Sequence, residues 1–249
     1  MTTQTGGIYI KRDDDNKETS LCPQNKEIGG PAWRFGGSPY SCNPNGDGDI
    51  LIIHGSTLAC LKPSGEQSEI KIKPEVEYKA FSKMHYSPNG QCAYMVAGGP
   101  RIFTKLIKVH VKSGETSVIR ASHSAAVDTA YYSFPEEKTW DTTDGAKAYG
   151  YYYPPLNKEY QGPEDEQPPL LVKVHGGPTS ACSPMLDLKK QYFTSRGFAV
   201  LDVNYRGSSG YGREYRDALK KNGVFPTLKT AAVELSSWLT QERLILRGC

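Results

Sequence analysis

The residues best suited to chemistry in this 249-residue chain lie in two short glycine-rich stretches. His175-Gly176-Gly177-Pro178 joins an imidazole to two glycines, and Tyr205-Arg206-Gly207-Ser208-Ser209-Gly210-Tyr211-Gly212 mixes hydroxyls, an arginine and three more glycines. A glycine carries no Cβ, so its N–H can come close to negative charge developing on a bound carbonyl. Losing one such donor costs a transition state about 2.7–4 kcal/mol. His175 itself has a plainer role open to it, ordering the loop in which it sits.

The elements that would carry these stretches follow from the neighbouring residues. Leu170 to Val174 is an apolar run of strand length that ends at His175. Ser183 offers an N-cap with Pro184 in the first helical turn. Met185, Leu188 and Tyr192 recur at helical spacing, flanked by Leu186 and Phe193, and Gly197 stops the helix. Phe198 to Val203 is a second apolar strand. Strand, helix and strand in this order predict a parallel pair, and ligands of such sheets sit at the carboxyl ends of the strands. Both glycine loops fall there. Downstream, Glu214 to Lys221 reads as a short helix, Leu228 to Thr240 as an amphipathic one and Arg243 to Leu246 as a third parallel strand. Upstream, Asp144-Gly145 between Thr139–Asp141 and Ala146–Tyr153 is a hairpin signal. The segment from Tyr151 to Pro169, rich in proline, charge and glycine, is read as a surface connection.

Residues 1 to about 130 are different. Short apolar runs alternate with Gly, Pro, Asn and Ser clusters, the pattern of an all-β region. Ser64, Gly65, Glu66, Ser68 and Ile70 recur as Ser113, Gly114, Glu115, Ser117 and Ile119 at a constant offset of 49. A period of that length suits a propeller blade, and about two blades fit, with lead-in strands at Ile50–Ile53 and Ile102–Ile107. An open β-sandwich with a chance recurrence is the alternative. Gly7 to Lys11 could be a strand from a preceding blade, a remnant that matches the repeat poorly, and Trp33 to Tyr40 is read as packing. The expected domains are residues 1–130, a partial β-propeller, and 131–249.

Charged residues are 23% and the net charge is +3, with no long basic run, which gives no support to nucleic-acid or acidic-membrane binding. Met1 to Ile10 lacks the features of a signal peptide, and no apolar run is long enough to span a bilayer. Six scattered cysteines without a C-x-x-C pair suit a reducing compartment, so a cytoplasmic setting is expected. Neither they nor the five dispersed histidines suggest a metal, and no cofactor is expected.

HGGPTS, TSRGFAVLDVNYRGSSGYGREYR and RLILRG, with DGAKAYGYYYPP upstream, closely resemble the prolyl oligopeptidase family of serine peptidases, in its acylaminoacyl-peptidase-like branch. The resemblance implies an α/β-hydrolase domain, represented by its N-terminal part, behind a β-propeller that limits access to short peptides or acyl-peptides. It also implies a Ser–Asp–His triad with the serine on a G-x-S-x-G elbow. Gly177, with Gly176 beside it, takes the family's oxyanion-hole position. The 249 residues contain no G-x-S-x-G, and Ser208 and Ser209 lie in the wrong loop at the wrong spacing. In the family the strand matching Arg243–Leu246 leads into Gly-x-Ser, so the nucleophile is expected immediately after Cys249. Cys249 has no partner base and is not read as a substitute. The complete enzyme would take a peptide substrate, with self-association left open, and this chain alone would be inactive. The alternative is a non-catalytic product that binds or modulates a full-length family member.

Overall fold

The computed structural model describes residues 9–11, 18–21, 40–123, 128–142, 145–163, 166–177 and 180–218. The chain divides into two compact units, Met1–Ser124 and Ala125–Cys249.

In the first unit, strands β1 (Tyr9–Lys11) and β2 (Glu18–Ser20) form an antiparallel hairpin. Strands β3 (Tyr40–Cys42), β4 (Ile50–His54), β5 (Thr57–Leu61) and β6 (Gln67–Glu69) make one four-stranded antiparallel meander. A second is made by β7 (Ala80–Tyr86), β8 (Cys92–Gly99), β9 (Ile102–His110) and β10 (Thr116–Ala121). The repeated Ser-Gly-Glu tripeptides form the same connection in each meander, between the third strand and the fourth. In the first copy the strand leading into it is therefore β5, and the run Ile50–Ile53 lies one strand earlier, in β4. The β1–β2 hairpin shares the register, because Glu18–Ser20 lies 49 residues before Gln67–Glu69.

The first meander is buried on both faces, as period-two alternation allows. Leu51, Leu58 and Cys60 join Met84, Ala93, Met95, Ala97, Ile107 and Val109 in one apolar core. Ile50, Ile52, Ala59 and Leu61 face the other way, with Leu21 and Tyr40 against them. Gly114 (φ +74°) takes a left-handed conformation, and a Cβ there would run into the Lys71 carbonyl oxygen. The segment beyond β6 bonds across this turn, the Lys73 N–H donating to the Gly114 carbonyl at 2.8 Å and the Lys73 carbonyl accepting from Thr116 N–H at 2.8 Å. The glycine of the repeat is thus required twice over, by its conformation and by the chain that packs on it.

In the second unit, β11 (Glu136–Asp141) and β12 (Lys147–Tyr153) form the hairpin expected around Asp144-Gly145, with Gly145 at φ +77°. The sheet order is β11-β12-β14-β13. Strand β14 (Ala199–Asn204) pairs antiparallel with β12 and parallel with β13 (Leu170–Val174). Helix α1 (Leu188–Thr194) links the parallel pair, and α2 (Arg213–Asp217) follows β14.

The expected start of α1 is corrected. Its N-cap is Asp187, whose carboxylate accepts from Lys189 N–H at 2.9 Å, and not Ser183. The residues before it are drawn out against β14, with Cys182 N–H donating to Asn204 Oδ1 at 2.7 Å, so the helix starts later. The apolar stripe is not its buried face. Leu188 and Tyr192 are 39% and 54% exposed, while Lys190, Gln191 and Thr194 are buried. Gln191 satisfies itself by accepting from Ser133 N–H (2.7 Å) and donating to the Ser133 carbonyl (3.0 Å). The end of α2 beyond Ala218, the amphipathic segment Leu228–Thr240, the strand Arg243–Leu246, Cys249 and Trp33 all lie outside the described residues.

Candidate active-site loops

Parallel pairing of β13 with β14, Val174 opposite Val203, brings the residues after both strands to the same sheet end. His175 leaves β13 and Tyr205 leaves β14, and their rings stack at 4.3 Å with 19° between planes. The Tyr205 hydroxyl donates to the Gly177 carbonyl at 2.8 Å, with the His175 carbonyl at 3.3 Å. Nε2 of His175 lies 2.7 Å from Ser208 Oγ. Ser209 N–H donates to the Ser180 carbonyl at 2.9 Å. The two glycine loops are therefore one structure.

Protons can be assigned within it. Ser208 is fully buried, and its Oγ donates to the Tyr205 carbonyl at 2.7 Å. A serine hydroxyl has one proton, so the 2.7 Å contact with His175 assigns the imidazole proton to Nε2, in preference to the long 3.5 Å approach of Nδ1 to the Gly176 carbonyl. Burial holds the imidazole below its ordinary pKa, against smaller opposing effects of the adjacent backbone and Asp202, so it is neutral. A histidine donating to a serine is not poised to deprotonate it. Ser208 is accordingly a poor nucleophile, and His175 orders its loop.

Gly176 and Gly177 are exposed, and Gly177 sits at φ +75°. A Cβ at either would meet nothing within 4 Å. Conformation demands glycine at Gly177, and the space beside both is open to a ligand.

Beneath the loops lies a polar interior. Asp202, 1% exposed, takes the Lys190 ammonium on Oδ2 at 2.6 Å and the Cys182 thiol on Oδ1 at 2.8 Å. Lys190 also donates to the Tyr153 hydroxyl at 2.8 Å. Burial, reinforced by Asp202, pushes the Cys182 thiol far above its usual pKa, so it stays protonated and unreactive. Asn204 Nδ2 donates to the Tyr211 hydroxyl at 2.8 Å, and Tyr215 donates to the Asn204 carbonyl at 2.7 Å. Tyr211 stacks on Tyr149 at 4.2 Å. Among the described residues no group of three or more His, Cys, Asp or Glu side chains could hold a metal ion, and no helix is long and apolar enough to cross a membrane.

Comparison with known proteins decides the lineage. The model of the prolyl oligopeptidase family matches residues 184–248. A puromycin-hydrolyzing peptidase of Mycobacterium tuberculosis superposes with a TM-score of 0.84 at 33% identity, over 95% of this chain and 36% of that one. The chain is similar to peptidases of the prolyl oligopeptidase family. A second solved structure, of a puromycin hydrolase, gives a TM-score of 0.85 at 33% identity, over 97% of this chain and 36% of that one. Among curated proteins, the acylamino-acid-releasing enzyme of Sus scrofa is 46% identical over 80 residues, 32% of this chain and 11% of that enzyme. An uncharacterized peptidase of Bacillus subtilis, YuxL, is 33% identical over 88 residues, 35% of this chain and 13% of that protein. The chain thus spans about a third of the solved family members, a share of 36% in both.

Proposed function

We propose that this chain is part of a serine-type peptidase that cleaves short peptides or acyl-peptides. In that reading the second unit is the N-terminal part of its α/β-hydrolase domain and the two meanders are blades of its propeller. Gly177, with Gly176, supplies an oxyanion-hole donor, and the serine nucleophile follows Cys249 in the complete enzyme. The observation carrying this reading is the exposed Gly176-Gly177 turn at the carboxyl end of β13, with Gly177 at φ +75° and open space beside it. An acyl-transfer transition state needs a backbone donor of that kind, fixed before the reaction. Relatives named for releasing acylated amino acids or hydrolysing puromycin transfer acyl groups to water, which suits the same loop.

The 249 residues without the elbow lack a nucleophile and are expected to give no turnover of an acyl-amino-acid p-nitroanilide. The full-length gene product is expected to turn it over, and Gly177→Ala in that product to lower kcat on the order of 100-fold. Turnover by the 249-residue chain that disappears in Gly177→Ala would overturn the assignment of the nucleophile. Unchanged kcat in the full-length variant would overturn that of the oxyanion loop.

A further inference from the structure

We propose that Tyr205 and Ser208 are positioning residues that hold the His175-Gly176-Gly177 loop rigid in its working shape before any substrate arrives. The proposal rests on the oxyanion reading for its functional meaning, but its geometry stands separately. An exposed glycine pair has every reason to move. It has no side chains to pack, and glycine has the largest backbone freedom to lose. Three independent ties oppose that freedom. The Tyr205 hydroxyl holds the Gly177 carbonyl at 2.8 Å, which fixes the peptide plane leaving the turn. Ser208 takes the His175 imidazole at 2.7 Å and the Tyr205 ring stacks on it at 4.3 Å, which fixes the residue entering the turn. Beyond the turn, Ser180 and Cys182 are tied to Ser209 and Asn204 by backbone N–H donors at 2.9 and 2.7 Å.

Each tie comes from β14 or the loop after it. The string Asp202-Val203-Asn204-Tyr205-Arg206-Gly207-Ser208-Ser209 thus supplies a template for a neighbouring loop: the Tyr205 hydroxyl and the Asn204 side-chain carbonyl meet that loop's backbone, and the Ser208 hydroxyl meets its imidazole. Pre-set donors are worth more to a transition state than donors that must reorganise.

Nuclear magnetic resonance on the 249-residue chain tests this without any turnover. Imidazole nitrogen shifts are expected to show His175 protonated at Nε2. Backbone order parameters of Gly176 and Gly177 are expected near 0.85, the value of rigid backbone, in spite of their exposure. Tyr205→Phe and Ser208→Ala are each expected to drop Gly177 below about 0.6 while the β14 amides stay rigid, and Ser208→Thr to restore the tautomer. An Nδ1-protonated His175, an order parameter below about 0.6 at Gly177 in the unaltered chain, or no change in the variants would overturn the proposal. Should the variants fail to fold, the tautomer and order parameters of the unaltered chain still decide it. A rigid loop in an inactive full-length product would remove only the oxyanion reading, and a mobile loop in an active one only the template.

Discussion

Leu51, Met84, Met95, Ile107 and Val109 fill the interior of the first unit with side chains that have nothing to hydrogen-bond, whereas Lys190, Gln191, Asp202, Asn204 and Ser208 occupy the interior of the second. Nine described polar or charged residues are buried. Ser87 belongs to the first unit and the other eight to the second. Apolar packing is non-directional and tolerates exchange of one hydrophobe for another. A buried polar group must find its partner at a set distance and angle, and leaving one unpaired costs more than making the bond gains. The first unit is built to be stacked and repeated. The second spends its interior on fixing where two loops lie. Polar interiors of this kind are expensive, and here the bonds of Asn204 and Ser208 end on the loop after β13 while those of Lys190 and Gln191 fix α1 against Asp202, Tyr153 and Ser133.

The largest effect that would sharpen this contrast is expected from Asp202→Ala. It leaves the Lys190 ammonium, whose side chain is 5% exposed, without its 2.6 Å partner. Removing one member of a buried ion pair costs about 3–5 kcal/mol. The urea midpoint read from the amide signals of Ala199–Asn204 should fall accordingly. Replacing both members with apolar residues, Lys190→Met with Asp202→Leu, should restore much of that loss while still freeing Cys182. A loss under about 1 kcal/mol in Asp202→Ala would mean that the pair is open to water, and the contrast between the interiors would fail.

Leu51→Ala is the matching cut in the first unit. Leu51 is fully buried between the two meanders. Truncation there is expected to cost about 2–5 kcal/mol, from lost burial and the cavity left behind. The midpoint read from the amides of Cys92–Gly99 checks it. Leu51→Met should lose under about 1.5 kcal/mol, because an apolar interior accepts a change of shape. No substitution of similar volume is expected to be as well tolerated at Asp202, and finding one would break the comparison from the other side.

This difference also governs how much could be read from the chain. Strands β13 and β14 were legible because an apolar run bounded by glycine marks a strand, although only β14 is buried along its length, and so was the hairpin at Asp144-Gly145. The offset of 49 found both meanders through five shared residues, although it misplaced one lead-in strand. Helix α1 was legible only as a helix. Hydrophobic periodicity marked Leu188 and Tyr192, whereas the inward residues are Lys190, Gln191 and Thr194, which bury well because Asp202, Tyr153 and Ser133 satisfy Lys190 and Gln191. Periodicity registers hydrophobicity, and partners on other strands leave no trace in it. The same blindness hid the role of Ser208. A serine in Gly-Ser-Ser-Gly could be weighed as a nucleophile and dismissed, but its bond to His175, 33 positions earlier, follows only from the parallel register of β13 and β14.

The smallest expected effect is also the most selective. The first unit holds four histidines, His54, His85, His110 and His123, and the second holds His175 alone. Burial lowers the folded-state pKa of His175, while in the unfolded chain it titrates near the ordinary value of about 6.5. Between those two values the unfolded chain binds more protons than the folded one, so stability rises with pH through that window. Read downward, the contribution is intact above about pH 6.5 and is lost as pH falls through the folded value. The urea midpoint from the Ala199–Asn204 amides should therefore be lower at pH 5.5 than at pH 7.5. His175→Gln keeps an N–H that can reach Ser208 and removes the titration, so its midpoint should change less over the same range. A drop of the same size in His175→Gln would place the titrating group elsewhere. No drop in the unaltered chain would mean the imidazole is not held neutral by burial.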